Sequence, residues 1–97
     1  MAYVVTAKWT AQAGEDEAVG AAIAKLVPLS RAEPACLLYQ VHRDPEDPRV
    51  FFFYEQYDDE AGYAAHGASE HFQEHAAGET FPRLESRERA FYVTWEP

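Results

Sequence analysis

An α+β fold with the element order β-α-β-β-α-β is predicted by three features of this 97-residue chain. Tyr3 to Thr10 alternates with period two, as strands do. Residues 18–27 repeat apolar side chains every four positions, as helices do. Phe51 to Phe72 (FFFYEQYDDEAGYAAHGASEHF) then runs from an aromatic strand through an acidic start signal into a second helix.

Taken in order, the first strand puts Tyr3, Val5, Ala7 and Trp9 on one face and Thr6, Lys8 and Thr10 on the other. Ala11-Gln12-Ala13-Gly14 reads as a turn. The first helix follows, with its stripe at Ala18/Val19, Ala22/Ile23 and Leu26/Val27, and Glu15, Asp16 and Glu17 favour its N-terminus. Pro28 should kink or end it, although Leu29 and Ala32 extend the stripe past a kink. Glu33-Pro34 breaks the chain before a second strand, Cys36 to Arg43. Asp44-Pro45-Glu46-Asp47-Pro48 has the composition of a hairpin loop, and Val50 to Tyr57 is the third strand. Asp58-Asp59 opens the second helix, with a break expected near Gly67 and Ser69 capping a further helical piece to about Glu74. Residues 76–85, with Gly78 and Pro82, show no clear element, and Arg87 to Trp95 closes the chain as a fourth strand. This is the ferredoxin-like split βαβ order, with an antiparallel sheet and both helices on one face. Residues 1–97 read as one domain.

The sheet faces suggest an oligomer. Strand three carries Phe52 and Tyr54 on one side and Phe51, Phe53 and Tyr57 on the other; strand two sets Leu38 against Leu37, Tyr39 and Val41. An antiparallel sheet with one face in water alternates apolar with polar residues. This one does not. Two small helices cannot cover both faces, so a second subunit is expected, giving a homodimer joined sheet to sheet.

Composition narrows the partners. Eight basic residues scattered among seventeen acidic ones, a formal charge of −9, give no basic patch for nucleic acid. The same field disfavours a highly anionic substrate and leaves a neutral or phenolic ligand as the expectation. A 14% aromatic content is high for so small a core and points to a ring-lined cavity or a subunit interface. Cys36 is the only cysteine, which excludes an intramolecular disulfide; in its apolar run it reads as a small buried hydrophobe. The N-terminus has no signal-peptide pattern, and no apolar run approaches the ~18 residues of a membrane helix. A soluble cytoplasmic protein is expected.

Few residues can carry chemistry. His66 shares a helical face with Tyr63, and an imidazole with a pKa near ~6.5 suits proton abstraction from a phenol; the plainer alternative is a histidine that hydrogen-bonds a neighbour. Glu55, flanked by aromatic residues, would need a partner or a raised pKa if buried, and pairing across the sheet with Arg87 or Arg89 is as good a reading as a functional one. His71 and His75 have the i, i+4 spacing of metal-binding pairs, but no third ligand accompanies them and a solvated pair is the simpler reading. Trp9, Tyr39, Tyr54, Tyr63 and Phe72 are most simply core or interface rings, any subset of which could also line a pocket. There is no glycine-rich phosphate loop, nucleophile elbow or dinucleotide-binding unit.

Glu33-Pro34-Ala35-Cys36 leading into Tyr39, Tyr54-Glu55-Gln56-Tyr57, and then Ala61, His66, Ser69 and His71-Phe72 together resemble the antibiotic biosynthesis monooxygenase family, particularly its quinol monooxygenase-like members. The resemblance implies a dimeric α+β barrel of two ferredoxin-like subunits, each with a pocket between sheet and helices. It implies no flavin, metal or nicotinamide cofactor. The partners it implies are a small aromatic substrate and O2: an electron-rich quinol or polyphenol is deprotonated, its anion reduces O2, and the peroxide collapses to a quinone. On this resemblance His66, Glu55 and Tyr54 become the catalytic candidates, and Tyr63, Phe72, Tyr39, Trp9 and His71 the substrate-binding ones. Ala35 stands where the family usually has glycine. The chain has no asparagine, and His66 aligns where the haem-degrading branch uses tryptophan, so haem degradation is disfavoured. Some relatives isomerise or process signalling molecules, which leaves a non-oxygenase reading open: a small-molecule-binding dimer or an isomerase of the same fold.

Overall fold

A computed structural model describes residues 1–97. In β1 (Tyr3–Ala11) the alternation turns Val5, Ala7 and Trp9 into the interior. Gly14 closes the following turn at φ 84°, a left-handed conformation that a residue without Cβ adopts freely. In α1 (Asp16–Arg31) Val19, Ala22, Ile23 and Leu26 recur every three or four residues and form the buried face, while Asp16 and Glu17 complement the helix dipole. Pro28 does not end this helix. Lacking an N–H, it forgoes one bond to the Ala24 carbonyl, while its own carbonyl still accepts from Ala32 N–H, and the helix runs on to Arg31.

β2 (Cys36–Arg43) and β3 (Val50–Tyr57) form the expected hairpin. Asp44 fastens its loop by accepting from the N–H groups of Glu46 and Asp47 at 2.8 and 2.9 Å. α2 (Glu60–Ala68) begins at Asp59, whose side chain accepts from Gly62 N–H at 2.8 Å. The break falls at Ser69, slightly later than Gly67, and the Ser69 hydroxyl accepts from Phe72 N–H at 3.2 Å to start the next piece. That piece is a π-helical segment, Phe72–Gly78, reaching past Glu74. A 3-10 turn, Phe81–Arg83, delivers the chain into β4 (Leu84–Val93), which starts three residues before the expected Arg87. No helix is long and apolar enough to cross a membrane.

The four strands form one antiparallel sheet in the order β2-β3-β1-β4, giving the ferredoxin-like β-α-β-β-α-β architecture. The helices cover one face, and the core lies between, where Val19, Ile23 and Leu26 meet Trp9, Phe51 and Phe53. The other face is mixed. Cross-strand rows such as Leu38–Gln56–Val4–Tyr92 and His42–Phe52–Lys8–Glu88 combine apolar with polar groups. Leu38 and Phe52 remain 42% and 40% exposed there. Leu37 departs from its expected place beside Tyr39, because a bulge between Cys36 and Leu38 takes it out of register and leaves it exposed.

Candidate active site

Three elements converge under the helix-covered face to make the site. The odd-numbered residues of β3 point inward, so Phe53, Glu55 and Tyr57 are buried side by side. α2 lies over them and buries His66 to 2% exposure. The turn after α1 brings Glu33 to the far edge of the His66 ring, where Glu33 Oε2 lies 2.7 Å from His66 Nδ1. The same oxygen lies 2.6 Å from His71 Nε2, supplied by the segment that follows the Ser69 break.

A carboxylate only accepts, so both ring nitrogens that face Glu33 carry protons. In the neutral ring, His66 Nε2 is then left with a free lone pair. It points away from Glu33 to Glu55, 3.9 Å from Glu55 Oε1, too far for a hydrogen bond and close enough for electrostatic coupling. Burial pushes the His66 pKa below its ordinary value, and Glu33 opposes that shift without overcoming it. The ring is therefore a neutral base at neutral pH.

Glu55 is 4% exposed and accepts a 2.6 Å hydrogen bond from the Tyr57 hydroxyl. Burial raises its pKa to about 7, an effect augmented by Glu33 and opposed by the Tyr57 bond and by Arg89. Glu55 does not pair with Arg87 or Arg89 across the sheet: both lie on β4, which pairs with β1, so a whole strand intervenes. Burial also raises the pKa values of Tyr57 and Tyr39, which stay neutral.

These groups open onto a small enclosed cavity of about 20 Å3, walled by Trp9, Tyr39, Tyr63 and Phe72 together with Glu55 and His66. Arg87 and Arg89 stand on its exposed side. A roomier depression of about 410 Å3 lies on the outer sheet face beside Lys8, His42 and Phe52. It is shallow and gathers no buried titratable group, so the enclosed cavity is the better chemical candidate.

Two of the eight proposed site residues stand apart from the cavity wall. Tyr54 has even parity on β3 and points to the outer face, where its hydroxyl accepts from Gln56 Nε2 at 3.0 Å; the structure does not bring it to Glu55 and His66. His71 sits behind His66 on the shared carboxylate. Its suggested pairing with His75 does not form, because the break and the π-helical segment give His75 a different partner, Glu79 Oε1 at 2.6 Å. The residue that sequence reasoning missed is Glu33, which enters there only in the chain break before β2 and in the stretch that resembles the family, with no role in the site. Its proximity to His66 depends on the fold, and a glutamate before a proline carries no such signal.

Two groups offer donors to a metal ion, Glu33 with His66 and His71, and Glu74 with His75 and Glu79; within each, the ligand atoms lie within 4.8 Å of one another. The first is a two-histidine, one-carboxylate set of the kind that suits zinc or iron(II). Its 2.6 and 2.7 Å contacts are hydrogen-bond lengths, so an ion would have to spread the three groups.

Known structures share the whole arrangement of elements. PA3566 from Pseudomonas aeruginosa is 30% identical with a TM-score of 0.90, the match covering 98% of this chain and 95% of that one. SO0527 from Shewanella oneidensis is 29% identical with a TM-score of 0.86, over 94% and 88% of the two chains. A protein described as an antibiotic biosynthesis monooxygenase is 26% identical with a TM-score of 0.89, over 99% of this chain and all of that one (100%). A search of curated proteins found no match. The family model for antibiotic biosynthesis monooxygenases matches residues 2–78, a span that includes β1 to α2, Glu33, Glu55 and His66. Membership supports a monooxygenase-type function acting on a small molecule with O2, and on these matches the chain belongs to the antibiotic biosynthesis monooxygenase family.

Proposed function

We propose that the protein is a cofactor-independent monooxygenase that oxidises a quinol or polyphenolic small molecule to a quinone, working as a homodimer. The observation that carries this reading is the Glu33–His66 pair: a carboxylate fixes one ring nitrogen, and the free one faces an aromatic cavity. His66 Nε2 takes the phenolic proton. The electron-rich anion gives electrons to O2, and a ring carbon forms a bond to one oxygen. Loss of that carbon's proton then breaks the O–O bond: one oxygen stays as the new carbonyl, the other leaves as water, and the substrate supplies all four electrons. Glu55, half-protonated near pH 7, can return a proton to the departing oxygen. The rings orient the substrate and keep water from the peroxide. Because the cavity is small, its aromatic walls must part to admit a ring.

A second copy would cover Leu38, Phe52 and Tyr92 on the outer face. Light scattering should then give about twice the 11.0 kDa chain mass, and a stable monomer would overturn the dimer. Oxygen uptake with a panel of quinols tests the chemistry. It should persist after chelation; loss of uptake on chelation, restored by one metal per chain, would favour a metal on Glu33, His66 and His71 instead. No uptake with any quinol would leave a binding protein or isomerase.

A further inference from the structure

We propose that the substrate is an aromatic acid, a hydroxylated ring bearing a carboxylate, and that Arg87 and Arg89 bind this carboxylate at the mouth of the cavity. The proposal rests on the reading of the cavity as the substrate site. Four of the eight basic side chains form ion pairs with acidic neighbours: Lys25, Arg43, Arg49 and Arg83. In a chain with seventeen acidic residues, Arg87 and Arg89 have none. They are not loose for lack of one. The Arg87 guanidinium lies 3.8 Å from the centre of the Phe81 ring. Arg89 donates to the Tyr63 hydroxyl at 2.9 Å and lies 5.5 Å from the Phe91 ring centre. Rings, not carboxylates, hold both heads in place.

Register puts both on the cavity. Arg87 is opposite Trp9 and Arg89 opposite Ala7, and all four residues line it. Two residues apart on one strand face, their Cα atoms stand about 7 Å apart, a separation that lets two guanidiniums converge on one carboxylate. The nearest acidic group inside the cavity, Glu55, forms no ion pair with either and is only partly ionised near pH 7. The −9 charge of the whole chain repels anions at a distance, but within a Debye length of ~8 Å the two guanidiniums set the local potential. A ring held by its carboxylate here would extend inward to His66.

Matched pairs of ligands test this by calorimetry under nitrogen, independently of turnover: 2,5-dihydroxybenzoate against its amide, and 1,4-dihydroxy-2-naphthoate against its amide. The acid of at least one pair should bind about 10–100-fold more tightly than the amide, with an affinity that falls as salt rises. Arg87→Gln and Arg89→Gln should each shrink the acid-over-amide preference, and the double variant should abolish it; both positions are exposed, and melting curves verify the fold. Equal affinity of acid and amide in both pairs, no binding by any of the four, or a preference that survives the double variant overturns the proposal. Acid-selective binding without oxygen uptake would sink the oxygenase reading and keep this one; uptake with acids and amides alike would do the reverse.

Discussion

The inner face of the sheet has two halves built on different rules. Under α1 the packing is apolar: Val19, Ile23 and Leu26 press on Phe51 and Phe53, and none of these side chains needs a partner. Under α2 and the segment after it the interior holds Glu55, His66, His75 and Thr80, each in a specific hydrogen bond. A buried apolar group gains from any close neighbour, whereas a buried titratable group costs free energy until a matching partner stands at the right distance. One half therefore stabilises the fold without chemistry, and the other spends stability on groups with shifted pKa values. Substitutions in the two halves should separate turnover from stability.

The largest effect is expected at the base. His66→Ala should lower turnover of a true substrate by roughly 10²–10⁴-fold. In the wild type the ascending limb of the pH–rate profile should lie below the ordinary histidine value, because burial lowers the His66 pKa; that limb should vanish in the variant. Glu33→Gln gives the finer test. Glu33 raises the His66 pKa, so removing its charge should move the limb to still lower pH, with turnover down on the order of tenfold as the ring loses its anchor. A limb that stays in place in Glu33→Gln would mean that Glu33 does not act on His66.

The apolar half should behave in the opposite way. Leu26 is fully buried, and Leu26→Ala should cost about 2–5 kcal/mol in denaturant unfolding. Turnover measured well below the melting temperature should stay near the wild-type value. A large loss of turnover in folded Leu26→Ala would show that the two halves are mechanically one.

Glu55 measures what the polar half costs. Its pKa rises from an ordinary 4.5 to about 7 on folding, so the native state binds the proton more tightly than the unfolded state does. The resulting stability is fully present below the unfolded value and is lost as pH rises through about 7. Gln cannot ionise, so Glu55→Gln should gain on the wild type between pH 5 and pH 8 by about 2–3 kcal/mol. Turnover should fall in the same variant. An unchanged difference across that range would show that Glu55 titrates normally.

The same division explains what could be read from the sequence. Period-two and helical spacing report burial of apolar groups, so α1, the β2–β3 hairpin and the inward set Phe51, Phe53 and Tyr57 were legible, as were His66 and its neighbours on α2. Parity along β3 already separated Tyr54 from Glu55, yet the resemblance grouped them, and the structure follows parity. The π-helical segment was invisible because its wider turn has no apolar period, and this also hid the true start of β4. Glu33 was hidden for a different reason: its role is a contact across 33 residues of sequence, and nothing local encodes that.

The smallest effect probes the joint that carries this contact. A Cβ on Gly62 would lie 2.7 Å from the Cβ of Ala35, closer than two carbons can sit. Ala35, placed where the family usually has glycine, thus requires a glycine in the first turn of α2. Gly62→Ala gains up to about 1 kcal/mol of helix propensity but overpacks the joint at a cost of about 1–3 kcal/mol, so a net loss of about 1–2 kcal/mol is expected. Ala35→Gly in that background removes the clashing methyl and should restore most of the loss, a coupling that a double-mutant cycle reads directly. Glu33 lies two residues before one side of this contact and His66 one helical turn after the other. Any shift that relieves the clash should therefore pull the carboxylate from the ring, and turnover of Gly62→Ala should fall further than its stability. A Gly62→Ala variant as active and as stable as the wild type would mean that the joint yields without moving either group.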